Sequence, residues 1–202
     1  MELFNDQIDE SEENEFIQKV KPKNNESFYL NIRGVLKTTS ESTPLRIVCN
    51  SAKEVWSGFT YNDCFEKGPD LTNRVFEVLI RFRRDKLDFH LHISKIFNRI
   101  FVKDDDKKYL RIVWRNGDER ANLKIYELTR LIFGGLFPDL SQSAVRFIAE
   151  KYANEYPEAR RVLFEDTYVY DIATSVESDE VAIKIMIDVD CVLHCGNSSS
   201  WT

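Results

Sequence analysis

The chain has 202 residues and a formal net charge of −6, and 43% of its residues are hydrophobic and 12% aromatic. This length suits a domain of ordinary size, and the apolar content is enough for a packed core, which excludes a globally disordered protein. No apolar run approaches the roughly 18 residues that a membrane-spanning helix needs, and the negative charge is a weak argument against a polyanion binder.

The N-terminal segment differs from the rest of the chain in its charge. Residues 1–27 contain eight acidic residues and three lysines, and this composition is typical of a solvated tail. The acidic start lacks the basic and then apolar order of a signal peptide. We therefore expect an intracellular protein, cytoplasmic or nuclear, with an acidic, disordered tail over 1–27 and no membrane segment.

Beyond the tail, helical and alternating periodicities predict a mixed chain. Two strands joined by a polar turn come first. They are followed by a helix over 71–82, a strand over 86–93, a hairpin around Asn116-Gly117, a helix over 139–156, a second hairpin over 160–176 and a helix over 178–195. Helices packed on one face of an antiparallel sheet give an α+β architecture.

The positions of apolar and basic residues predict which parts of the helices are buried and which are exposed. The first helix is predicted to bury Leu71, Val75, Leu79 and Phe82, which recur at helical spacing. The basic clusters at 81–86 and 158–164 are interpreted as solvated helix ends rather than as a nucleic-acid track.

The cysteines are predicted to be structural. Cys49 and Cys64 have apolar neighbours and are expected to be buried thiols. Cys191 and Cys195, next to His194, lack the second ligand pair that a zinc site usually has.

The stretch EDTYVYDIATS (165–175) reads as two short strands that meet at Tyr168-Val169-Tyr170-Asp171. Enzymes of two-metal nucleotidyl transfer hold ions about 3.5–4 Å apart on carboxylates, and Mg²⁺ requires such hard oxygen ligands. Two places could supply them, namely this hairpin and the strand end at His90–Ile93. An ordinary β-turn is the alternative for the hairpin.

Several stretches together carry a specific pattern: YNDCFEKGPDL (61–71), LIRFRRD (79–85), LRIVWR (110–115), YELTRLIFG (126–134) and YPEARRVLFEDTYVYDI (156–172). In this order they resemble the reverse transcriptase of BEL/Pao-type LTR retrotransposons, over roughly residues 28–195. The resemblance implies the fingers and palm of a right-hand polymerase, with an antiparallel palm-like sheet. It also implies that the thumb and the later domains of the element are missing and that 196–202 is a polar end.

The resemblance further implies an RNA-directed DNA polymerase that uses Mg²⁺ and three metal-binding aspartates. Matched by position, the first aspartate is His92, and the Tyr-Val-Asp-Asp hairpin has Tyr170 and Asp171 as its last two residues. Only Asp171 keeps a carboxylate, and an imidazole is a poor Mg²⁺ ligand. We therefore expect a catalytically inactive domain that binds no Mg²⁺ productively.

The nucleotide contacts of the family are partly kept. Arg46 matches the arginine of a Lys-x-Arg motif, whose lysine position is Pro44. Phe97 matches the aromatic gate against a ribose 2′-OH, and Phe133-Gly134 match a substrate-binding Phe-Gly loop. Without the resemblance, Phe97 is better interpreted as a core residue and Arg46 as a solvated strand residue.

Three functions are compatible with the sequence. The first is an inactive domain of retrotransposon origin. The second is a repurposed module that binds a protein, or that binds RNA or an RNA–DNA primer–template weakly. The third is a residual polymerase in which Asp171 works with a substitute ligand, Asp88 or Asp166.

Overall fold

The computed structural model describes residues 2–21, 26–36, 45–54, 58–64, 68–132, 134 and 138–195. The chain forms two compact units, and each combines two separate stretches of sequence. Unit 1 contains Met1–Glu66 and Ile100–Phe137, and unit 2 contains Lys67–Arg99 and Pro138–Trp201.

The elements in chain order are α1 (Glu2–Glu13), β1 (Ile17–Val20), β2 (Ile32–Leu36), β3 (Leu45–Cys49), α2 (Val75–Arg81), β4 (Leu87–His92), β5 (Arg111–Trp114), β6 (Lys124–Leu128), α3 (Pro138–Lys151), α4 (Pro157–Glu165), β7 (Thr167–Tyr168), β8 (Asp171–Val176) and α5 (Asp179–Cys195).

Unit 1 contains a three-stranded antiparallel sheet in the order β1-β6-β5 and the antiparallel pair β2-β3. The predicted hairpin is confirmed, since β5 and β6 pair and both Asn116 and Gly117 have positive φ. Tyr126 and Leu128 of β6 are buried in the core of this unit. The turn predicted between β2 and β3 lies outside the described residues.

The acidic N-terminal segment is structured, in contrast to the tail that the sequence predicts. Helix α1 buries Ile8, and β1 pairs with β6 so that Ile17 lies opposite Leu128. Phe4 stacks on Trp114 with ring centroids 4.4 Å apart. A few apolar anchors therefore hold this segment, and they are too widely spaced to stand out among the acidic residues.

Unit 2 contains the antiparallel sheet β4-β8-β7, and helices α2, α4 and α5 contact its central strand β8. In β4 the side chains alternate between half-buried (Leu87, Phe89, Leu91) and exposed (Asp88, His90, His92). The core of the unit consists of fully buried apolar side chains, including Val162, Leu163, Ile172 and Val192. The predicted α+β class, with helices on a palm-like antiparallel sheet, is thereby confirmed.

Two elements of unit 2 differ from the sequence prediction. Helix α2 has seven residues and buries only Val78, whereas Val75 and Leu79 are exposed, so the predicted buried face was wrong. The segment predicted as the first strand of the second hairpin is mostly helix α4. Pro157 begins this helix, a position that suits proline because the first turn needs no amide donor.

Of the two cysteines predicted to be buried, the structure buries one and exposes the other. Cys49 is buried as expected, and burial raises its pKa to about 12. Cys64 is exposed, so the prediction of a buried thiol was wrong there.

Among the described residues, no helix combines the length and apolarity needed to cross a bilayer.

Candidate functional site

The end of β4 and the β7-β8 hairpin bring together three residues that the sequence singled out. In the antiparallel ladder His92 lies opposite Asp171, and His92 Nδ1 is 2.8 Å from Asp171 Oδ1. The rings of His92 and Tyr170 meet edge to face, with centroids 5.6 Å apart. The Ile93 amide donates a hydrogen bond of 2.8 Å to the Tyr170 carbonyl. The three positions therefore lie at one end of a single sheet.

A second imidazole contacts the same carboxylate. His90 Nε2 is 3.3 Å from Asp171 Oδ1, and all three side chains are about half exposed. His90 belongs to the strand end at His90–Ile93 that was a candidate place for ligands, but no role was predicted for its own side chain. The available signal was its spacing, because residues two apart on a strand point to the same face.

The tip of the hairpin is held from helix α3. Val169 has a φ of +57°, a left-handed conformation that costs an L-residue about 1–2 kcal/mol. The side-chain amide of Gln142, which is buried on α3, donates a hydrogen bond to the Val169 carbonyl. The fold of unit 2 thus fixes the backbone that carries Tyr170 and Asp171.

Asp166, one of the two substitute ligands considered, already has a structural role. Its side chain is 1% exposed, and its Oδ1 accepts a 2.8 Å bond from Arg81 Nε. Its Oδ2 accepts bonds from Arg161 Nη1 at 2.9 Å and from the Thr174 hydroxyl at 2.6 Å. Arg81 and Arg161 are therefore partly buried partners of Asp166, which corrects their interpretation as solvated helix ends.

Asp88, the other substitute ligand, is too far along the strand. It lies opposite Ser175, whereas His92 lies opposite Asp171. Four residues of strand separate Asp88 from His92, which corresponds to about 13 Å. Asp88 shares a face with His92 and Asp171, but it cannot share an ion with them in this geometry.

The donor atoms at this edge do not fit a pair of Mg²⁺ ions. The arrangement offers one carboxylate, Asp171, whose Oδ1 faces two imidazole nitrogens. Mg²⁺ needs near-octahedral oxygen ligation, and a two-ion site needs carboxylates that bridge both ions. The nitrogen atoms of His90 and His92 and the phenol of Tyr170 do not supply those ligands.

The positions matched to nucleotide contacts fall in both units. In unit 2, Phe97 is buried in a short 3-10 turn, the core placement that the sequence left open as an alternative. In unit 1, Arg46 is exposed on β3. Gly134 has a φ of +107°, and a Cβ built on it would lie 2.0 Å from the Cys49 carbonyl oxygen. Phe133 and Pro44 lie outside the described residues.

Comparison with solved structures identifies the architecture. The chain is similar to the prototype foamy virus protease-reverse transcriptase, whose structure is that of a selenomethionine-labelled CSH mutant. The TM-score is 0.68 and the sequence identity is 16%, and the match covers 96% of this chain and 22% of the foamy virus chain. It is similar to the foamy viral protease-reverse transcriptase dRH in complex with double-stranded DNA, with a TM-score of 0.70, 19% identity and coverage of 96% and 29%. A foamy viral complex with an RNA/DNA hybrid gives a TM-score of 0.66 at 18% identity, with coverage of 95% and 22%.

The chain spans between 22% and 29% of the length of these foamy viral chains. No protein-family model matches the sequence, and no curated protein matches it. At this level of identity the likeness concerns the fold. The chain has a reverse transcriptase-like fold, consistent with a palm and part of the fingers.

Proposed function

We propose that the chain is a reverse transcriptase-like palm and partial fingers of BEL/Pao-type retrotransposon origin that does not catalyse DNA synthesis. One observation carries the proposal. Where the resemblance implies three metal-binding aspartates, the edge of the sheet offers His92, Tyr170 and Asp171, and Asp171 is hydrogen-bonded to imidazole.

The expected loss of rate follows from the chemistry of phosphoryl transfer. Metal ions supply most of the charge stabilisation in that transition state. If the two missing carboxylates together contributed about 6 kcal/mol, the rate would fall more than roughly ten-thousand-fold. Neither candidate substitute ligand replaces a missing carboxylate, because Asp166 is buried between two arginines and Asp88 lies too far along β4.

The BEL/Pao origin is supported by the ordered motifs, above all YNDCFEKGPDL (61–71) and YPEARRVLFEDTYVYDI (156–172). The foamy viral neighbours support a reverse transcriptase-like fold at 16–19% identity. The proposed BEL/Pao origin therefore rests on the sequence motifs. It predicts that a search with the separate stretches of unit 2 retrieves BEL/Pao reverse transcriptases ahead of retroviral ones.

A primer-extension assay tests the inactivity. The purified chain is incubated with an RNA template, a DNA primer and the four deoxynucleotides, in Mg²⁺ or in Mn²⁺. We expect no extended product in either ion, while an active retroviral reverse transcriptase extends the same primer. Extension that disappears in the Asp171→Ala variant would refute the proposal, because it would show polymerase activity centred on this hairpin.

Weak binding of nucleic acid is a second candidate function. Two of the neighbours are described as complexes, one with double-stranded DNA and one with an RNA/DNA hybrid. Binding through phosphate contacts would weaken linearly in log affinity as log salt rises. A gel-shift titration of an RNA–DNA hybrid at several salt concentrations tests it, and absence of any salt-dependent shift would exclude this function.

A further inference from the structure

Strand β4 forms one edge of the sheet in unit 2. The strand order is β4-β8-β7, and among the residues that the structure describes β4 pairs with β8 alone. An edge strand presents a row of backbone N–H and C=O groups with which another strand can pair. The long side of β4 that faces away from β8 is therefore a surface to which an extended segment can be added.

The ladder register shows which backbone groups of β4 face this open side. Ile93, directly after β4, donates its amide hydrogen to the carbonyl of Tyr170, directly before β8. Because alternate residues of an antiparallel ladder exchange hydrogen bonds, the odd-numbered residues of β4 bond to β8. The N–H and C=O groups of Asp88, His90 and His92 consequently point to the open side.

The apolar face of β4 is only partly covered. Leu87, Phe89 and Leu91 are half-buried. Leu87 lies opposite Val176 and Leu91 lies opposite Ile172, and both of these β8 residues are buried. Apolar area thus remains exposed along the edge, and a further strand that places apolar side chains on this face would bury it.

The sequence of β4 is complementary to itself. When two copies of the strand run antiparallel with Phe89 opposite Phe89, Leu87 faces Leu91 and Asp88 faces His90. Two-fold symmetry makes each of these contacts twice, and every side chain keeps its side of the sheet. We propose that the chain forms a symmetric dimer through this pairing of β4 with β4 of a second copy, which joins two three-stranded sheets into one.

The backbone and the charges both fit this register. Asp88 and His90 present their backbone groups to the open side, so each facing pair can exchange two hydrogen bonds. Charged side chains on an edge strand usually oppose pairing, but a carboxylate opposite an imidazole is a favourable cross-strand pair. A shift of two residues in either direction places Asp88 opposite Asp88 or His90 opposite His90, so charge favours the proposed register.

The interface is small, because each copy contributes one strand of six residues. We therefore expect a weak dimer, with a dissociation constant on the order of micromolar. The inference is separate from the proposed loss of polymerase activity, since it concerns the open side of β4 and would hold whether or not the domain binds nucleic acid.

Amide hydrogen exchange of the full wild-type chain, followed by NMR at low and at high protein concentration, tests the pairing without any substitution. The amides of Asp88 and His90 should exchange about tenfold more slowly at concentrations well above the dissociation constant than well below it. The amides of Phe89 and Leu91 are internal controls. They bond to β8 and should be equally protected at both concentrations.

Sedimentation equilibrium of the full chain measures the association, and variants test the register. His90→Asp places a carboxylate opposite Asp88 twice and should weaken association at least about tenfold. The double variant Asp88→His/His90→Asp exchanges the two side chains and should recover the wild-type dissociation constant to within about threefold. His194→Asp makes the same substitution at an exposed position of α5 and should leave association unchanged. Circular dichroism should give one folded spectrum for all variants, because the substituted side chains are exposed.

Three results would overturn the proposal. A monomer at every concentration, with fast exchange at Asp88 and His90, would leave the open side to a strand of another protein. Slow exchange at these two amides in a dilute monomer would show that a segment of the same chain covers the edge. A dimer that His90→Asp does not weaken, or that the double variant does not restore, would exclude this register.

Discussion

The side-chain amide of Gln142 donates a hydrogen bond to the backbone carbonyl of Val169, the residue at the tip of the β7-β8 hairpin. Gln142 is buried on α3, and Val169 has a positive φ of 57°. A β-branched residue rarely adopts this conformation. The β7-β8 hairpin thus has a strained tip, which is supported from helix α3.

Replacing Val169 with glycine should stabilise the fold. The left-handed conformation costs an L-residue about 1–2 kcal/mol, whereas glycine adopts it freely but gives up about 0.5–1 kcal/mol through chain entropy. We expect the free energy of unfolding to rise by about 0.5 kcal/mol in urea titrations followed by circular dichroism. Val181→Gly, at an exposed position in α5, should instead lose up to about 1 kcal/mol. A loss at Val169 equal to that at Val181 would contradict the strain argument.

Removing the Asp166 carboxylate should destabilise the chain strongly. Asp166→Ala leaves Arg81 and Arg161 without their buried partner and leaves the Thr174 hydroxyl without an acceptor. We expect a loss of about 3 kcal/mol, at the low end for breaking a buried ion pair because both arginines are partly exposed. Glu165→Ala removes the adjacent, exposed carboxylate and should change stability by less than about 0.5 kcal/mol. Equal effects of the two substitutions would rule out a structural role for Asp166.

Adding a methyl group at Gly134 should disrupt unit 1 locally. A Cβ there would lie 2.0 Å from the Cys49 carbonyl oxygen, and φ is +107°. Gly58 has a φ of +81°, and a Cβ there would have no atom of the described residues within 4 Å. Gly58→Ala is therefore expected to show the conformational cost alone, about 1 kcal/mol. Gly134→Ala should lower the melting temperature clearly further than Gly58→Ala does. Similar shifts for both would show that the loop simply moves away from Cys49.

Part of the fold could be predicted from local patterns, and the errors have identifiable causes. The strand β4 and the turn at Asn116-Gly117 were predicted because alternation and turn chemistry are local signals. Helix α4 was missed because its buried residues, Ala159, Val162 and Leu163, run directly into the strand pattern of β7. The buried face of α2 was mispredicted because its apolar residues surround the helix and only tertiary packing selects Val78.

The residues of the candidate site could also be predicted only in part. Motif order singled out His92, Tyr170 and Asp171, and the structure places them together. The contact of His90 with Asp171 needed the strand register, since spacing alone places His90 on a face without naming a partner. The role of Asp166 could not be read from sequence, because Arg81 lies 85 positions away in the chain.

The most direct measurement of the central claim is primer extension after the carboxylates are restored. The double variant His92→Asp/Tyr170→Asp and the wild-type residues are compared in a chain that also carries a reverse transcriptase thumb, with Mg²⁺ and a primed RNA template. We predict extension by the double variant and none by the wild type, with a ratio of rates above roughly ten-thousand-fold. A wild-type rate within about tenfold of the double variant would contradict the claim that the loss of two carboxylates abolished nucleotide addition.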